Sequence, residues 1–292
     1  MLPEKAQYGI TGRRIRKALV SPSLLVRNLK FWWNEDVSEE RHLFVMGPPR
    51  SGTTLIKNVL QSHSEICGIE GETFFFLREN YSDFRRPSVD DQRMKQIIRR
   101  SKSDVDLFDR FAAIVKDKKD GKRFLEKTPE HAIRLEYILD HFPASQAIFV
   151  IRDPRDGLSS ARKYEAYWNS LPDGDRVGGY IETWRESVKK YLDNRGNTAV
   201  SLVCYEDFCR EPEQALQRLA DDLGIQVEPQ QLDPSYYSQT WYSNEQSHSR
   251  LKEPITAQTV GRWKQELTGE DFSRVEEELG HEMKSLGYTL ES

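Results

Sequence analysis

The chain has 292 residues, 37% of them apolar and 31% charged, and its 43 Lys and Arg against 47 Asp and Glu leave a net charge of -4. That length buries a substantial core and leaves one large domain or two small ones open. The near-balanced charge excludes a whole-chain electrostatic case for nucleic acid or another polyanion. Three cysteines, Cys67, Cys204 and Cys209, have no metal-ligand spacing and do not read as a disulfide framework. With no run approaching a membrane span or the apolar core of a signal peptide, the expectation is a cytoplasmic enzyme.

In chain order, residues 1–41 form an arm in which Arg13, Arg14, Arg16, Lys17, Arg27 and Lys30 alternate with apolar residues up to Trp32 and Trp33. The pattern fits an arm packed on the main domain, or a peripheral contact of residues 13–33 with an anionic membrane; Pro22 interrupts any single helix. From residue 43 strands and helices alternate. "HLFVMG" (42–47), "RFLEK" (123–127), "QAIFVIRD" (146–153) and "AVSLVCYED" (199–207) are short continuous apolar runs suited to parallel strands buried on both faces. Helices are expected at 131–141, 155–169, 176–194 and 212–223, the last opened by Pro212 and closed by Gly224. A charged helical insertion at 78–122 carries the pairs Arg85-Arg86 and Arg99-Arg100, on a solvated face or on one turned to an anionic acceptor. The expected fold is a single P-loop-like α/β domain over residues 42–292, with a central, mostly parallel sheet flanked by helices. In such sheets ligands bind beyond the carboxyl ends of the strands.

Two segments carry the chemistry. Gly47-Pro48-Pro49-Arg50-Ser51-Gly52-Thr53-Thr54 follows a strand and opens a helix, as G-x-x-x-x-G-K-[ST] does, but Thr53 stands where that motif has its lysine. Backbone N–H groups at a helix start, two threonine hydroxyls and Arg50 suit an anion with less reach than a triphosphate. The second segment, "FVIRDPRDGLSSARKY" (149–164), brings Arg152 and a serine hydroxyl to another strand end, which makes a second anion site. Two such sites point to a nucleotide phosphorylated at two positions. Asp153 would be the metal residue of a Walker B element, but Arg152 beside it argues against a magnesium site.

These segments resemble the sulfotransferases that use 3′-phosphoadenosine 5′-phosphosulfate (PAPS). "PRSGTT" is similar to the P-[RK]-S-G-T-T loop that holds the 5′-phosphosulfate in that family, and Arg152 and Ser160 match R-x-P-x-[DE]-x-x-x-S, which holds the 3′-phosphate. The resemblance runs over roughly residues 43–265 and is closest in style to tyrosylprotein and heparan-type enzymes. It implies Arg50, Ser51, Gly52, Thr53, Thr54, Arg152, Ser160 and Tyr205 as nucleotide-binding residues. Arg262 and Lys264 of "VGRWK" join them, as does Ser247, which aligns more loosely. It implies Glu72 of "EGETFFF" as the base and Lys127 of "LEKTPEH", with Arg50, as charge-stabilising catalytic residues. Glu70 and His131 remain alternative bases. No metal is implied, and PAP is the product.

The expected activity is transfer of a sulfuryl group to a hydroxyl or amine of a carbohydrate, tyrosine peptide, lipid or small phenol. Tyr164, Tyr167, Trp168, Tyr180 and Trp184 either wall an acceptor pocket or belong to the core. Two other readings compete: a degenerate P-loop kinase or ATPase, and a noncatalytic PAP-binding protein. The oligomeric state is not legible.

Overall fold

Five strands form one sheet: β1 (Leu43–Met46), β2 (Ile66–Gly68), β3 (Arg123–Lys127), β4 (Gln146–Ile151) and β5 (Val200–Cys204). The computed structural model describes residues 31, 36–78, 81, 84, 86, 89–238 and 251–291. The arm residues 13–30 and 32–33, Arg85 and Ser247 lie outside the described residues. The strand order is β2-β3-β1-β4-β5 and all four pairings are parallel, so the sheet is wholly rather than mostly parallel. Its sequence is apolar on both faces for that reason. Phe44, Met46, Phe124 and Phe149 enter one core with a large share of the phenylalanines. Leu43, Val45, Leu125, Ile148 and Val150 enter a second core on the opposite face.

Nine α-helices of six residues or more flank the sheet among the described residues: α1 (Thr53–Gln61), α2 (Asp91–Arg100), α3 (Asp104–Lys119), α4 (Leu135–His141), α5 (Pro154–Arg162), α6 (Arg176–Asp193), α7 (Tyr205–Arg210), α8 (Pro212–Leu223) and α9 (Gly269–Ser285). α8 has the anticipated limits, with Leu216, Leu219 and Leu223 buried and Gly224 closing it in a left-handed conformation. The helix expected at 155–169 is broken after Arg162, and a single turn, Glu165–Trp168, follows. The strand expected through residue 207 stops at Cys204, and Tyr205 opens α7 instead. The short β2 and the long α9 were not among the expected elements. Tyr180 and Trp184 are core: both are buried on α6 against Leu158, Val275 and Leu279. In the insertion, α3 buries Leu107, Phe108 and Phe111 in the phenylalanine-rich core, and Arg99 and Arg100 stay exposed at the end of α2.

The chain places β3 on one side of β1 and then crosses to place β4 on the other, which makes the carboxyl end of β1 the switch point where an open sheet binds ligands. Val45 pairs with Lys127 and Met46 with Phe149, so β1 and β3 end within one residue of each other and β4 runs two residues farther, to Ile151. Gly47 leaves β1 at φ 144°, and a Cβ there would lie 2.1 Å from the Val150 carbonyl oxygen. Only glycine lets the loop pass this close to β4. Gly47→Ala is therefore expected to lower unfolding free energy by roughly 2–4 kcal/mol, measured by urea denaturation.

Candidate active site

The loop between β1 and α1 wraps a helix start that has no side-chain cap. Helical bonding begins with Ile56 N–H donating to Gly52 O at 3.2 Å, so the N–H groups ahead of it are those a helix leaves for an anion. Arg50, at φ 70°, sends its Nε to Ser160 Oγ at 3.3 Å and lies 4.7 Å from the Tyr164 ring. The two anion segments read from the sequence thus touch through Arg50 and Ser160. Burial pulls the Arg50 pKa down, Arg152 adds to the effect, and Arg50 forms no salt bridge among the described residues. A half-buried guanidinium so placed suits an anionic ligand.

Arg152 sits one residue beyond β4. Its Nη2 donates to Thr259 O at 2.6 Å, its Nη1 to Arg50 O at 3.5 Å, and its guanidinium lies 4.5 Å from the Tyr205 ring centre. Tyr205 OH shares a 2.8 Å hydrogen bond with Thr259 Oγ1. The ring also closes on the loop, because a Cβ on Gly52 would lie 2.3 Å from Tyr205 Cδ2. Asp156, the acidic position of the second motif, accepts from Gly261 N at 2.6 Å and Trp263 N at 3.0 Å. It thereby fastens the segment carrying Arg262 over the cleft. Among the described residues, Arg152 Nε and Arg262 Nε are buried without a hydrogen-bond partner. Those two donors, with Ser160, fit a second phosphate.

Lys127 ends β3 with its side chain 1% exposed, and its Nζ donates to Glu72 Oε1 at 2.5 Å; Glu72 is 24% exposed and lines the cleft. The neighbours of this pair are pinned to one buried carboxylate. Glu126 Oε1 accepts from Thr73 Oγ1 and Thr128 Oγ1, both at 2.6 Å, and Thr128 Oγ1 in turn accepts from Phe74 N at 3.2 Å. Glu126 Oε2 meets His131 Nδ1 at 2.9 Å. Phe76 N–H donates to His131 Nε2 at 3.2 Å, so the imidazole carries its proton on Nδ1 and donates it to Glu126. Burial works against the Glu126 charge, yet His131, Thr128 and Thr73 outweigh it and hold the carboxyl well below its ordinary range. From the insertion, Arg86 Nη2 donates to the carbonyls of Glu72 at 2.6 Å and Thr73 at 2.5 Å.

One cleft of about 940 Å³ collects Arg50, Gly52, Thr53, Thr54, Glu72, Arg152, Ser160, Tyr205 and Arg262. Ser51 is buried in the same loop, and Lys127 lies behind Glu72. Lys264 is not in the lining; its ammonium pairs with Glu291 beside an exposed surface. Glu70 is exposed and His131 fully buried, and neither lines the cleft. Of the aromatic set, Tyr164 and Tyr167 form part of its wall. Glu130 and Thr259 also line it and were not singled out. Glu130 lies inside "LEKTPEH", but its spacing carries no signal, and Thr259 belongs to no motif read from the sequence.

Residues 42–229 match the profile of the sulfotransferase family. The chain belongs to that family. Among its sulfotransferase relatives is a Caenorhabditis briggsae protein named "Putative protein-tyrosine sulfotransferase", 26% identical over 268 residues, covering 87% of this chain and 91% of the relative. The Cavia porcellus 3-alpha-hydroxysteroid sulfotransferase is 26% identical over 200 residues, 60% of this chain and 67% of that one. In fold, the sulfotransferase domain from the Synechococcus PCC 7002 olefin synthase superposes with a TM-score of 0.66 at 16% identity, over 88% of this chain and 99% of that one. Mouse sulfotransferase SULT7A1 complexed with PAP gives 0.55 at 16% identity, over 91% of each chain.

The buried Glu126 makes a prediction of its own. A group whose folded pKa is depressed contributes stability above its unfolded pKa and loses it as pH falls toward the folded value. Urea denaturation of Glu126→Gln is expected to show a loss of roughly 2–3 kcal/mol at pH 7, shrinking as the pH falls below the ordinary carboxylate range of about 4.

Proposed function

We propose that this sulfotransferase moves a sulfuryl group from PAPS to a hydroxyl or amine of its acceptor and releases PAP, without a metal. The observation that carries the reading is the 3.3 Å contact of Arg50 with Ser160, which joins two anion sites in one cleft that Glu72, paired with Lys127, also lines. When bound, PAPS supplies an activated sulfuryl group on its 5′-phosphate. Arg50, Ser51, Gly52, Thr53 and Thr54 would hold that end through side chains and N–H groups at the start of α1. Arg152, Ser160 and Arg262 would hold the 3′-phosphate, with Tyr205 alongside. Lys264 and Ser247 complete the nucleotide set implied by the resemblance.

Glu72 takes the proton of the attacking acceptor group. Lys127 and Arg50 balance the charge that returns to the phosphate as its bond to sulfur breaks. The seating of Glu72 on the cleft wall supports it as the base over exposed Glu70 and over His131, whose ring nitrogens are both engaged in the buried layer.

In this reading residues 42–292 form the transferase domain and 1–41 an arm. A cytoplasmic setting is supported by three free cysteines, and no helix among the described residues is long and apolar enough to cross a membrane. The named relatives act on chemically different acceptors, so carbohydrate, tyrosine peptide, lipid and small phenol all enter the acceptor screen.

The test is transfer of radiolabelled sulfate from PAPS in EDTA, across that screen. Glu72→Ala and Lys127→Ala should each lower turnover roughly 10²- to 10⁴-fold, the range of a single acid–base group, while PAP binding by calorimetry shows that the fold survives. Unchanged activity in both variants would remove the assigned roles. Magnesium-dependent ATP cleavage without PAP affinity would replace the reading with that of a kinase or ATPase.

A further inference from the structure

The catalytic assignment leaves three acidic residues of the cleft lining unused, Glu130, Glu165 and Glu253, and of these only Glu130 has a buried oxygen left unsatisfied among the described residues. Glu130 follows Pro129 in the turn after β3, lines the cleft with Glu72, and has a buried Oε2 with no hydrogen-bond partner among the described residues. Burial, and then the charge of Glu72, raise its carboxyl above its ordinary value, and Glu130 in turn helps to raise the Tyr167 phenol. A buried carboxylate oxygen without a donor is costly, and its usual explanation is a missing partner.

Resting on the sulfotransferase reading, we infer that Glu130 is a specificity residue that binds a second hydroxyl of the acceptor beside the one being sulfated, which makes the acceptor a neutral polyol of the carbohydrate type. The charges of the cleft select this class. An anionic group at that place would meet Glu72 and Glu130, with Glu165 and Glu253 also in the lining. An ammonium would be drawn to Glu130 but set near Lys127 and Arg50, the cations reserved for the donor. A hydroxyl adds no charge, and because it both donates and accepts it satisfies a carboxyl in either protonation state. Tyr167, which feels the Glu130 charge, lines the same cleft and adds flat apolar surface suited to the C–H face of a saturated ring. In the transfer step the reacting oxygen bonds to sulfur, the bond from sulfur to the phosphate breaks, and the proton passes to Glu72; Glu130 holds the neighbouring hydroxyl and exchanges no proton.

The experiment uses the full chain, labelled PAPS and three matched probes: cyclohexanol, trans-cyclohexane-1,2-diol and trans-2-aminocyclohexanol. The diol is expected to exceed cyclohexanol in kcat/KM by roughly 10- to 100-fold, the discrimination a site built for a hydroxyl imposes when it is missing. Glu130→Gln should collapse that ratio toward one, mainly through KM, with PAP affinity showing that the variant is folded. Equal use of the two alcohols, use of neither, or a ratio that survives in Glu130→Gln overturns the inference. Preference for the amino alcohol overturns the acceptor class. Failure of the wild-type chain to bind PAP overturns the parent reading instead, and calorimetry reads that independently of any acceptor.

Discussion

Glu126 is a charge that the fold buries beside its candidate reaction centre, and the geometry around it depends on how that charge is satisfied. An ionised carboxylate 1% exposed is untenable without close donors, since its desolvation costs several kcal/mol. The donors are Thr73, Thr128 and His131, so the requirement to satisfy Glu126 fixes the backbone on both sides of the cleft floor. Residues 126 and 127 point to opposite sides of β3, as consecutive strand residues must. While Glu126 takes Thr73, Lys127 takes Glu72, and two adjacent residues of the strand are matched to two adjacent residues of the turn. Glu72 cannot drift without breaking bonds to a buried charge.

The same turn carries a visible strain. Phe74 adopts φ 50° with its side chain 40% exposed, a conformation worth about 1–3 kcal/mol for a non-glycine residue. Its N–H is held by Thr128, and Arg86 grips the two preceding carbonyls from the insertion. The insertion is therefore more than a solvated helical face: it helps to set the backbone of the carboxylate that lines the cleft. On the nucleotide side Asp156 does comparable work, because its two bonds to the backbone at Gly261 and Trp263 close a distant segment over Arg152. Arg155 reinforces that closure, with its guanidinium 4.1 Å from the Trp263 ring centre and salt bridges to Asp153 and Glu276.

What the sequence disclosed follows from which forces are local. The strands at 123–127 and 146–151 and the helix at 212–223 were legible because continuous apolar runs and cap residues act over a few neighbours. The anion loop was legible because a glycine-bounded turn between strand and helix has few other uses. β2 escaped notice because three residues carry too little periodicity, and its place at the sheet edge is decided by pairing with β3. Tyr180 and Trp184 share a helical spacing that fits a pocket or a core equally well, and only the packing of α9 against α6 decides between them. Glu130 was invisible for a stronger reason: its significance is an unmet hydrogen bond, and that exists only once the surrounding chain is in place.

The cleft holds charges of both signs, and their burial and pairing bear on the proposed transfer. Among the described residues half-buried Arg50 has no salt bridge, and Arg152 and Arg262 each keep a buried nitrogen unsatisfied, so positive charge is available to an anionic ligand. The same lining carries the carboxylates Glu72, Glu130, Glu165 and Glu253 and the tyrosines Tyr164 and Tyr167, with Lys163 paired to Glu266 outside it. Lys127 and Glu72 form a pair, with the lysine hidden and the carboxylate partly open to the cleft. Around the buried Lys127 ammonium a charge is screened less than in water. In the proposed reaction an acceptor approaching Glu72 would therefore meet the carboxylate first and the lysine only behind it. The proton would be taken on the acceptor's side of the pair, and the leaving charge met on the other.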